Sequence, residues 1–504
     1  MQTLTSLLAL AKAAHAQRVA VSTHGVEMTY GQLFARSRRL ARVLVDRGVA
    51  PGDRVAILAR NGFRYLEANF ACVFAGAILA PLNGRLAQAE IDEILRRIDC
   101  RLVLGPEALD GVATIGWDDV VGPGGECAYE TLLAGAEPLD EAAGSEDPAA
   151  TAQIFFTSGT TGLPKGVCLA HANLVASAMD AMETLALRQD DVWLHAAPMF
   201  HLVDAFAIWG LTLVGGRHVA THFEPEAFGE LVEREKITKT SLPPTLLDWI
   251  ARREPNLSHD LGSLDLISYG GSPMQSSVYE RCVATLGCSL LQAYGLTEGS
   301  GFVCHEKPGD NPDPNAVINT VGRSTERVAL MLRNADGQPS GEGEVGEVLI
   351  SGQRVFLEYW NDPKATAAAF SGGWYQTGDL AVRDTAGRYR IVGRAKEMII
   401  SGGENIYPAE VVNALVSHPA VAEAAVFGAP SERWGEEVRA VVYLVPGDGA
   451  AVTAEDLLAY CRTQIAGYKT PKQIELSAAP LPKTGIGKIA VSAVRQAQIL
   501  KELS

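Results

Sequence analysis

The sequence predicts an α/β protein: a large N-terminal domain of layered α/β subdomains with a β-rich subdomain, followed by a small mobile α+β C-terminal domain. Three observations predict it. Apolar runs of strand length alternate with stretches of helical periodicity from the N-terminus to about Gln292, which favours parallel sheet covered by helices. After about Gly322 the texture changes to short alternating strands separated by Gly and Asp turns. A chain of 504 residues with 47% apolar content can bury a large core and divides into at least two domains.

The elements follow in order. Leu4, Leu7, Leu8 and Ala11 share one helical face, so the N-terminus reads as an amphipathic helix; no basic residue precedes the apolar run as a secretory leader requires. Thr29-Tyr30-Gly31-Gln32 has the form of a capping box and opens a helix with Leu33, Leu40, Val43 and Leu44 inward, ending near Gly48. Arg54 to Leu58 is a buried strand, an apolar helix runs through Phe70 to Val73, and Ile78 to Asn83 is the next strand. The weakly patterned segment from about Gly105 to Ala150 reads as a surface excursion. Strands follow at Val192–His195, Thr240–Leu242, Leu264–Ser268 and Ser289–Gln292, with helices at Phe206–Leu213 and Phe228–Lys236. Further strands are predicted at Glu347–Ile350 and Arg388–Val392. The last lobe, residues 394–504, has a helix from Pro408, strands at Ala424–Val426 and Ala440–Tyr443, and a final helix-strand-helix.

The bulk charge excludes one function class. A net charge of −16 with no basic stripe argues against nucleic-acid binding. The eight cysteines are scattered with no C-x-x-C pair, the pattern of reduced thiols in a cytoplasmic protein. No stretch reaches the roughly 18–20 apolar residues of a membrane-spanning helix.

Chemistry concentrates at Thr157-Ser158-Gly159-Thr160-Thr161-Gly162-Leu163-Pro164-Lys165-Gly166, set between the apolar runs Ile154–Phe156 and Val167–Leu169. This reads as two strands joined by a loop whose glycines bring the backbone close to a ligand. Its hydroxyls and N–H groups suit phosphate oxygens, with Lys165 as a point charge. It is not a Walker A loop, because Gly166 follows Lys165. Thr297 and Glu298, a hydroxyl beside a carboxylate at a strand end, suit a phosphate and Mg²⁺ respectively. Gly270 and Gly271 permit close approach to a flat base. Asp379, in Trp374-Tyr375-Gln376-Thr377-Gly378-Asp379-Leu380, can accept hydrogen bonds from both ribose hydroxyls.

These strings resemble, in order and over nearly the whole chain, the signatures of the acyl-adenylate-forming superfamily of acyl-CoA synthetases, luciferases and peptide-synthetase adenylation domains, and above all its fatty-acyl and aryl-acid CoA ligases. The resemblance implies that ATP is bound by Thr157, Ser158, Gly159, Thr160, Thr161 and Lys165 on the phosphates. Gly270, Gly271, Ser272 and Tyr294 would lie at adenine, and Asp379 and Arg394 at ribose. It gives Thr297 to the α-phosphate and Mg²⁺ to Glu298 and Thr160. Lys488 would bridge the substrate carboxylate and α-phosphate, and Lys396 would be the hinge between domains 1–393 and 394–504. Coenzyme A would meet Gly402, Gly403, Glu404, Trp434, Lys469 and Lys472.

Pro198-Met199-Phe200-His201 resembles the wall of the acyl pocket, with His201 gating the path to the carboxylate. Phe200, Phe206, Trp209, Tyr269, Gly270 and Phe302 are the pocket candidates, mostly apolar or aromatic, so an aliphatic or aryl acid is expected. No second metal-ligating residue stands near His201 at ligand spacing; His195 and His218 are assigned to packing. An amino-acid activator would carry an acidic anchor directly after His201, where Leu202 stands and Asp204 is displaced. The expected activity is AMP-forming ligation of a carboxylic acid to coenzyme A through an acyl-adenylate. Loading of an acyl carrier protein, luciferase-like oxygenation and a non-catalytic nucleotide-binding regulator are the other readings. The expected partners are small molecules, with a homodimer as one arrangement.

Overall fold

A computed structural model describes residues 1–23, 25–109, 111–118, 122–140, 144–157, 164–271, 274, 276–306, 320–445, 452–483 and 489–502. Local signals set the first elements. Thr3 caps the helix Leu4–His15, which buries Leu4, Leu7, Leu8 and Ala11. Each buried leucine contributes about 1.5–3 kcal/mol, enough to hold this helix on the core. The capping box at Thr29 closes: the Gln32 N–H donates to Thr29 Oγ1 at 3.2 Å and the Thr29 N–H to Gln32 Oε1 at 2.8 Å. The helix it starts, Tyr30–Asp46, buries Leu33, Leu40, Val43 and Leu44.

Among the described residues the chain forms four sheets. In the first, Ile78–Pro81, Arg54–Ile57, Cys100–Leu104 and Thr114–Ile115 run parallel, and Thr151–Thr157 joins Ile78–Pro81 in the same sense. Lys165–Ala170 returns antiparallel to Thr151–Thr157, with Thr157 opposite Lys165. Glu358–Tyr359 then closes that edge, antiparallel to Lys165–Ala170. In the second sheet, Leu266–Gly270 lies parallel between Lys239–Leu242 and Ser289–Leu296, and Gly301–Glu306 folds back along the last of these.

The third sheet is antiparallel throughout. Gly346–Gly352 pairs with Val328–Arg333 and with Trp374–Arg383, and Tyr389–Arg394 pairs with Trp374–Arg383. The fourth belongs to the last lobe: Gly435–Leu444 pairs with Val421–Ser431, Ile399–Ser401 and Gln473–Ser477. The helices Pro408–Val416 and Ala454–Gln464 bury Val411, Leu415, Leu457 and Cys461 against it.

Two expectations need correction. The segment after Gly105 is not a mere surface excursion: Trp117, Tyr129 and Leu133 are buried. Arg36 donates to both oxygens of Glu130, at 2.7 and 2.8 Å, and also pairs with Glu67, whose other oxygen accepts from Tyr129 at 2.7 Å. The strand expected to stop at Gln292 runs on to Leu296, because Gly301–Glu306 supplies it with a second ladder. All eight cysteines are free. Among the described residues, no helix is long and apolar enough to cross a membrane.

Candidate active site

The longer strand Ser289–Leu296 ends in a tight turn, Thr297–Gly299, so Tyr294 and Glu298 leave one element four residues apart. The strand Trp374–Arg383 runs nearby and presents Tyr375, Thr377 and Asp379 on one buried face, as period-two alternation requires. The Tyr294 hydroxyl donates to Asp379 Oδ2 at 2.6 Å, and Arg394 Nε reaches Asp379 Oδ1 at 2.9 Å from the adjacent strand. The Asp379 N–H donates to Thr377 Oγ1 at 3.0 Å, which in turn donates to the Val348 carbonyl at 2.7 Å. Burial and then the Asp379 charge push the Tyr294 phenol well above its usual pKa, so it stays a donor.

The second half of the site joins the first sheet to the same two elements. The Tyr359 hydroxyl donates to Glu298 Oε1 at 2.9 Å and lies 3.4 Å from the Tyr375 hydroxyl. The Lys165 ammonium sits 4.5 Å from the centroid of the Tyr359 ring. Burial, and next the Glu298 charge, raise the pKa of both phenols. The backbone after the turn is strained: Ser300, not a glycine, has φ of 56°. Its carbonyl accepts from Ser177 at 2.6 Å and from Arg354 Nη2 at 3.1 Å, and Arg354 pairs with Asp180 at 2.9 Å.

At Gly270 the neighbouring strand takes the space: an added Cβ would lie 2.2 Å from the Ala293 carbonyl. A side chain is therefore excluded at Gly270 by the neighbouring strand. Gly271 has φ of 81°, which a glycine adopts without strain. Tyr269 is buried, its hydroxyl 3.2 Å from Gln292 Oε1.

His201 ends the loop before the helix Leu202–Val214, its ring 4.7 Å from that of Phe200. Asn61 pins this loop, donating to the His195 and Ala197 carbonyls at 2.8 Å each and accepting from the Met199 N–H at 2.9 Å. Phe206 packs edge-on against Phe302 (5.1 Å between centroids) and against Trp193 (5.9 Å), whereas Trp209 lies against Phe70 in the helical core.

Beneath the loop runs a buried polar chain. Trp193 Nε1 donates to Asp204 Oδ1 at 3.1 Å, and His195 Nδ1 meets Asp204 Oδ2 at 2.5 Å. His195 Nε2 lies 2.9 Å from His218 Nδ1, and His218 Nε2 lies 3.2 Å from Thr212 Oγ1. Burial, followed by His195, holds the His218 pKa well below its usual value, so this imidazole is neutral. Both carboxylate oxygens of Asp204 are therefore engaged by protein groups.

In the last lobe, Lys396 is exposed in the turn between Tyr389–Arg394 and Ile399–Ser401, where the Ala395 N–H donates to the Gly378 carbonyl at 2.9 Å. The Gly402 N–H donates to the Trp434 carbonyl at 2.9 Å, and Trp434 is 39% exposed. Gly403 and Glu404 are exposed beside them. Lys469 donates to both Glu410 oxygens at 2.7 and 2.8 Å, while Lys472 is exposed. Ser158, Gly159, Thr160, Thr161, Ser272 and Lys488 lie outside the described residues.

The AMP-binding enzyme family matches residues 9–360, and the C-terminal domain of AMP-binding enzymes matches residues 410–488. The chain belongs to the AMP-binding enzyme family. Among its relatives in that family, a feruloyl-CoA synthase from an Amycolatopsis species is 39% identical over 485 residues, covering 95% of each chain. An indoleacetate–CoA ligase from Aromatoleum aromaticum is 37% identical over 488 residues, covering 93% of each. The family fold is matched by the o-succinylbenzoate CoA synthetase of Bacillus subtilis. Its complex with the acyl-adenylate intermediate has a TM-score of 0.85 and 29% identity, covering 97% of each chain. Its complex with ATP and magnesium has the same TM-score and identity, covering 97% of this chain and 99% of that one.

Magnesium fits the donors that this family member offers. Glu298 presents a hard carboxylate, and among the described residues no group of three His, Cys, Asp or Glu could hold a metal. A cation bound by one carboxylate and completed by substrate phosphates is the arrangement Mg²⁺ prefers. Sequence reasoning missed Tyr359, Tyr375, Asn61 and Arg354. Only Tyr375 had a signal, standing four residues before Asp379 in the same motif.

Proposed function

We propose that the protein is an AMP-forming acid–CoA ligase acting on an aryl acid, with ATP and coenzyme A as co-substrates. One observation carries the reading: Tyr294–Asp379–Arg394 and Lys165–Tyr359–Glu298 meet at the end of the strand Ser289–Leu296 and the turn that follows it, which supports a ribose site beside a phosphate site. The aryl class is supported by the edge-on Phe206–Phe302 pair and by the acids for which two relatives are named.

In the first step an oxygen of the substrate carboxylate attacks the α-phosphorus of ATP. The new P–O bond forms as the bond to the β-phosphate oxygen breaks, and pyrophosphate leaves with that electron pair. In the second, the coenzyme A sulfur attacks the acyl carbonyl after losing its proton, and AMP departs with the carboxylate oxygen. The chain's residues position and neutralise charge rather than form covalent intermediates. Asp379 and Arg394 hold the ribose, Thr157, Ser158, Gly159, Thr160, Thr161 and Lys165 hold the triphosphate, and Thr297 faces the α-phosphate. Glu298 and Thr160 would hold Mg²⁺, which would supply charge neutralisation at the phosphate oxygens. His201 gates the acid. Lys488 bridges the acid and the α-phosphate, and loss of such a group costs about 2.7–4 kcal/mol.

The small domain, from Arg394, rotates about Lys396 to exchange Lys488 for the coenzyme A contacts at Gly402, Gly403, Glu404 and Trp434. The two family matches, ending at 360 and resuming at 410, leave that turn between them. The free cysteines and the lack of any membrane-length apolar helix among the described residues support a cytoplasmic site of action. The test is exchange of labelled pyrophosphate into ATP with ferulate, indoleacetate, acetate and a long-chain acid, followed by thioester formation on adding coenzyme A or a carrier protein. Aryl-dependent exchange and a coenzyme A thioester are expected. No exchange with any acid overturns the reading. In Lys488→Ala, exchange should collapse while thioester formation from supplied acyl-adenylate survives.

A further inference from the structure

Tyr359 belongs to none of the strings that define the phosphate or ribose site. It lies on the two-residue edge strand Glu358–Tyr359, which pairs with the strand carrying Lys165. The Leu357 N–H donates to the Cys168 carbonyl at 3.0 Å and the Trp360 N–H to the Gly166 carbonyl at 2.7 Å, so the edge strand is fixed to the phosphate hairpin on both sides of Tyr359. The ring is buried and packed by Phe356, 4.8 Å between centroids. Its face carries the Lys165 ammonium and its hydroxyl donates to Glu298 Oε1. Among the described residues Glu298 Oε2 makes no hydrogen bond, which leaves it as the oxygen available to a cation. The Glu298 backbone carbonyl accepts from the Phe356 N–H at 2.9 Å, so the turn and the edge strand are tied at two levels.

We propose that Tyr359 is the positioning residue for both charges that meet the triphosphate: its hydroxyl sets the plane of the Glu298 carboxylate, and its ring face seats the Lys165 ammonium. The proposal rests on the ligase reading above. One side chain thereby couples the place of the cation to the place of the phosphate-binding lysine. Aromatic faces attract ammonium groups, and a hydrogen bond to a charged carboxylate fixes its orientation.

Two substitutions separate the contacts. Tyr359→Phe keeps the ring and its packing and removes the O–H; Tyr359→Leu removes both. Binding of Mn²⁺ in the presence of α,β-methylene-ATP, followed by electron paramagnetic resonance, should weaken about tenfold in Tyr359→Phe. Binding of the analogue without divalent cation should be unchanged in Tyr359→Phe and several-fold weaker in Tyr359→Leu. A cooperative thermal melt of Tyr359→Phe that matches wild type shows an intact fold, so that the loss of Mn²⁺ affinity reads the missing O–H alone. Wild-type Mn²⁺ affinity in Tyr359→Phe overturns the proposal, as does equal loss of metal-free analogue binding in both variants. Failure of wild-type protein to exchange pyrophosphate with any acid would instead overturn the ligase reading, and the Mn²⁺ result on Tyr359 would stand apart from it.

Discussion

Tyr294 and Asp379, 85 residues apart in the chain, meet in a 2.6 Å hydrogen bond that joins the strand Ser289–Leu296 of the second sheet to the strand Trp374–Arg383 of the third. With Arg394 on its other oxygen, the Asp379 carboxylate is held in one plane. Preorganisation of this kind lowers the ordering cost of binding.

Asp379→Asn keeps the shape but cannot accept from Tyr294 and pair with Arg394 as an anion does. A hydrogen bond to a charged group contributes about 1.5–3 kcal/mol. The KM for ATP in pyrophosphate exchange should therefore rise roughly tenfold to a hundredfold. The KM for the acid should stay within about twofold if the residue serves the ribose alone. Steady-state titration of each substrate checks it, and an equal rise in both would refute a ribose role.

Phe302 stands edge-on to Phe206. Phe302→Ala should open space at that point and shift the ratio of kcat/KM values from smaller toward bulkier aryl acids by about 10-fold to 200-fold. A competition assay between a mono-cyclic and a bicyclic aryl acid reads the ratio; an unchanged preference removes Phe302 from the acid pocket.

His171 sets a pH dependence. It is buried, its Nδ1 accepts from the Leu4 N–H at 3.3 Å, and burial holds its pKa down at about 4. The folded state therefore binds fewer protons than the unfolded one between that value and the usual 6.5. Its contribution is fully present above about pH 6.5 and is lost as pH falls toward 4, up to about 3 kcal/mol in all. Urea melts of wild type and His171→Gln across this window should show a shallower acid slope in the variant. Equal slopes would mean that His171 is not the group responsible.

Arg354 and Asp180 form a fully buried pair that also holds the strained Ser300 carbonyl. Asp180→Asn leaves a buried guanidinium uncompensated and should cost about 3–5 kcal/mol. Ser300→Gly relieves a positive φ and should be neutral or stabilising in the backbone term, offset by loss of its 2.6 Å hydrogen bond to the Arg354 carbonyl. Chemical denaturation of both variants checks the order: Asp180→Asn must be the more destabilised.

What the sequence made legible was local. The capping box at Thr29, the hairpin about the phosphate loop and the stretch around Asp379 are contiguous strings whose residue types dictate their own geometry. Tyr359 was not legible, because its meaning depends on Glu298, 61 residues away, and on an edge strand of two residues that no period can announce. Asn61 holds Met199 across 138 residues. The strand to Leu296 was read as ending early because Gly295 looks like a turn, and only the ladder with Gly301–Glu306 overrides that local preference. The segment after Gly105 looked unanchored for the same reason: its hold is the Arg36–Glu130–Glu67 cluster, visible only once the chain is folded.

Asp204 has a consequence for anyone repurposing this scaffold. Its two oxygens already serve an indole and an imidazole in a buried interior, so freeing them for a substrate ammonium would strand Trp193 and the two stacked histidines. A variant meant to accept zwitterions must therefore bring its own acidic group from another element, because the carboxylate closest in sequence to His201 is already spent on holding the fold.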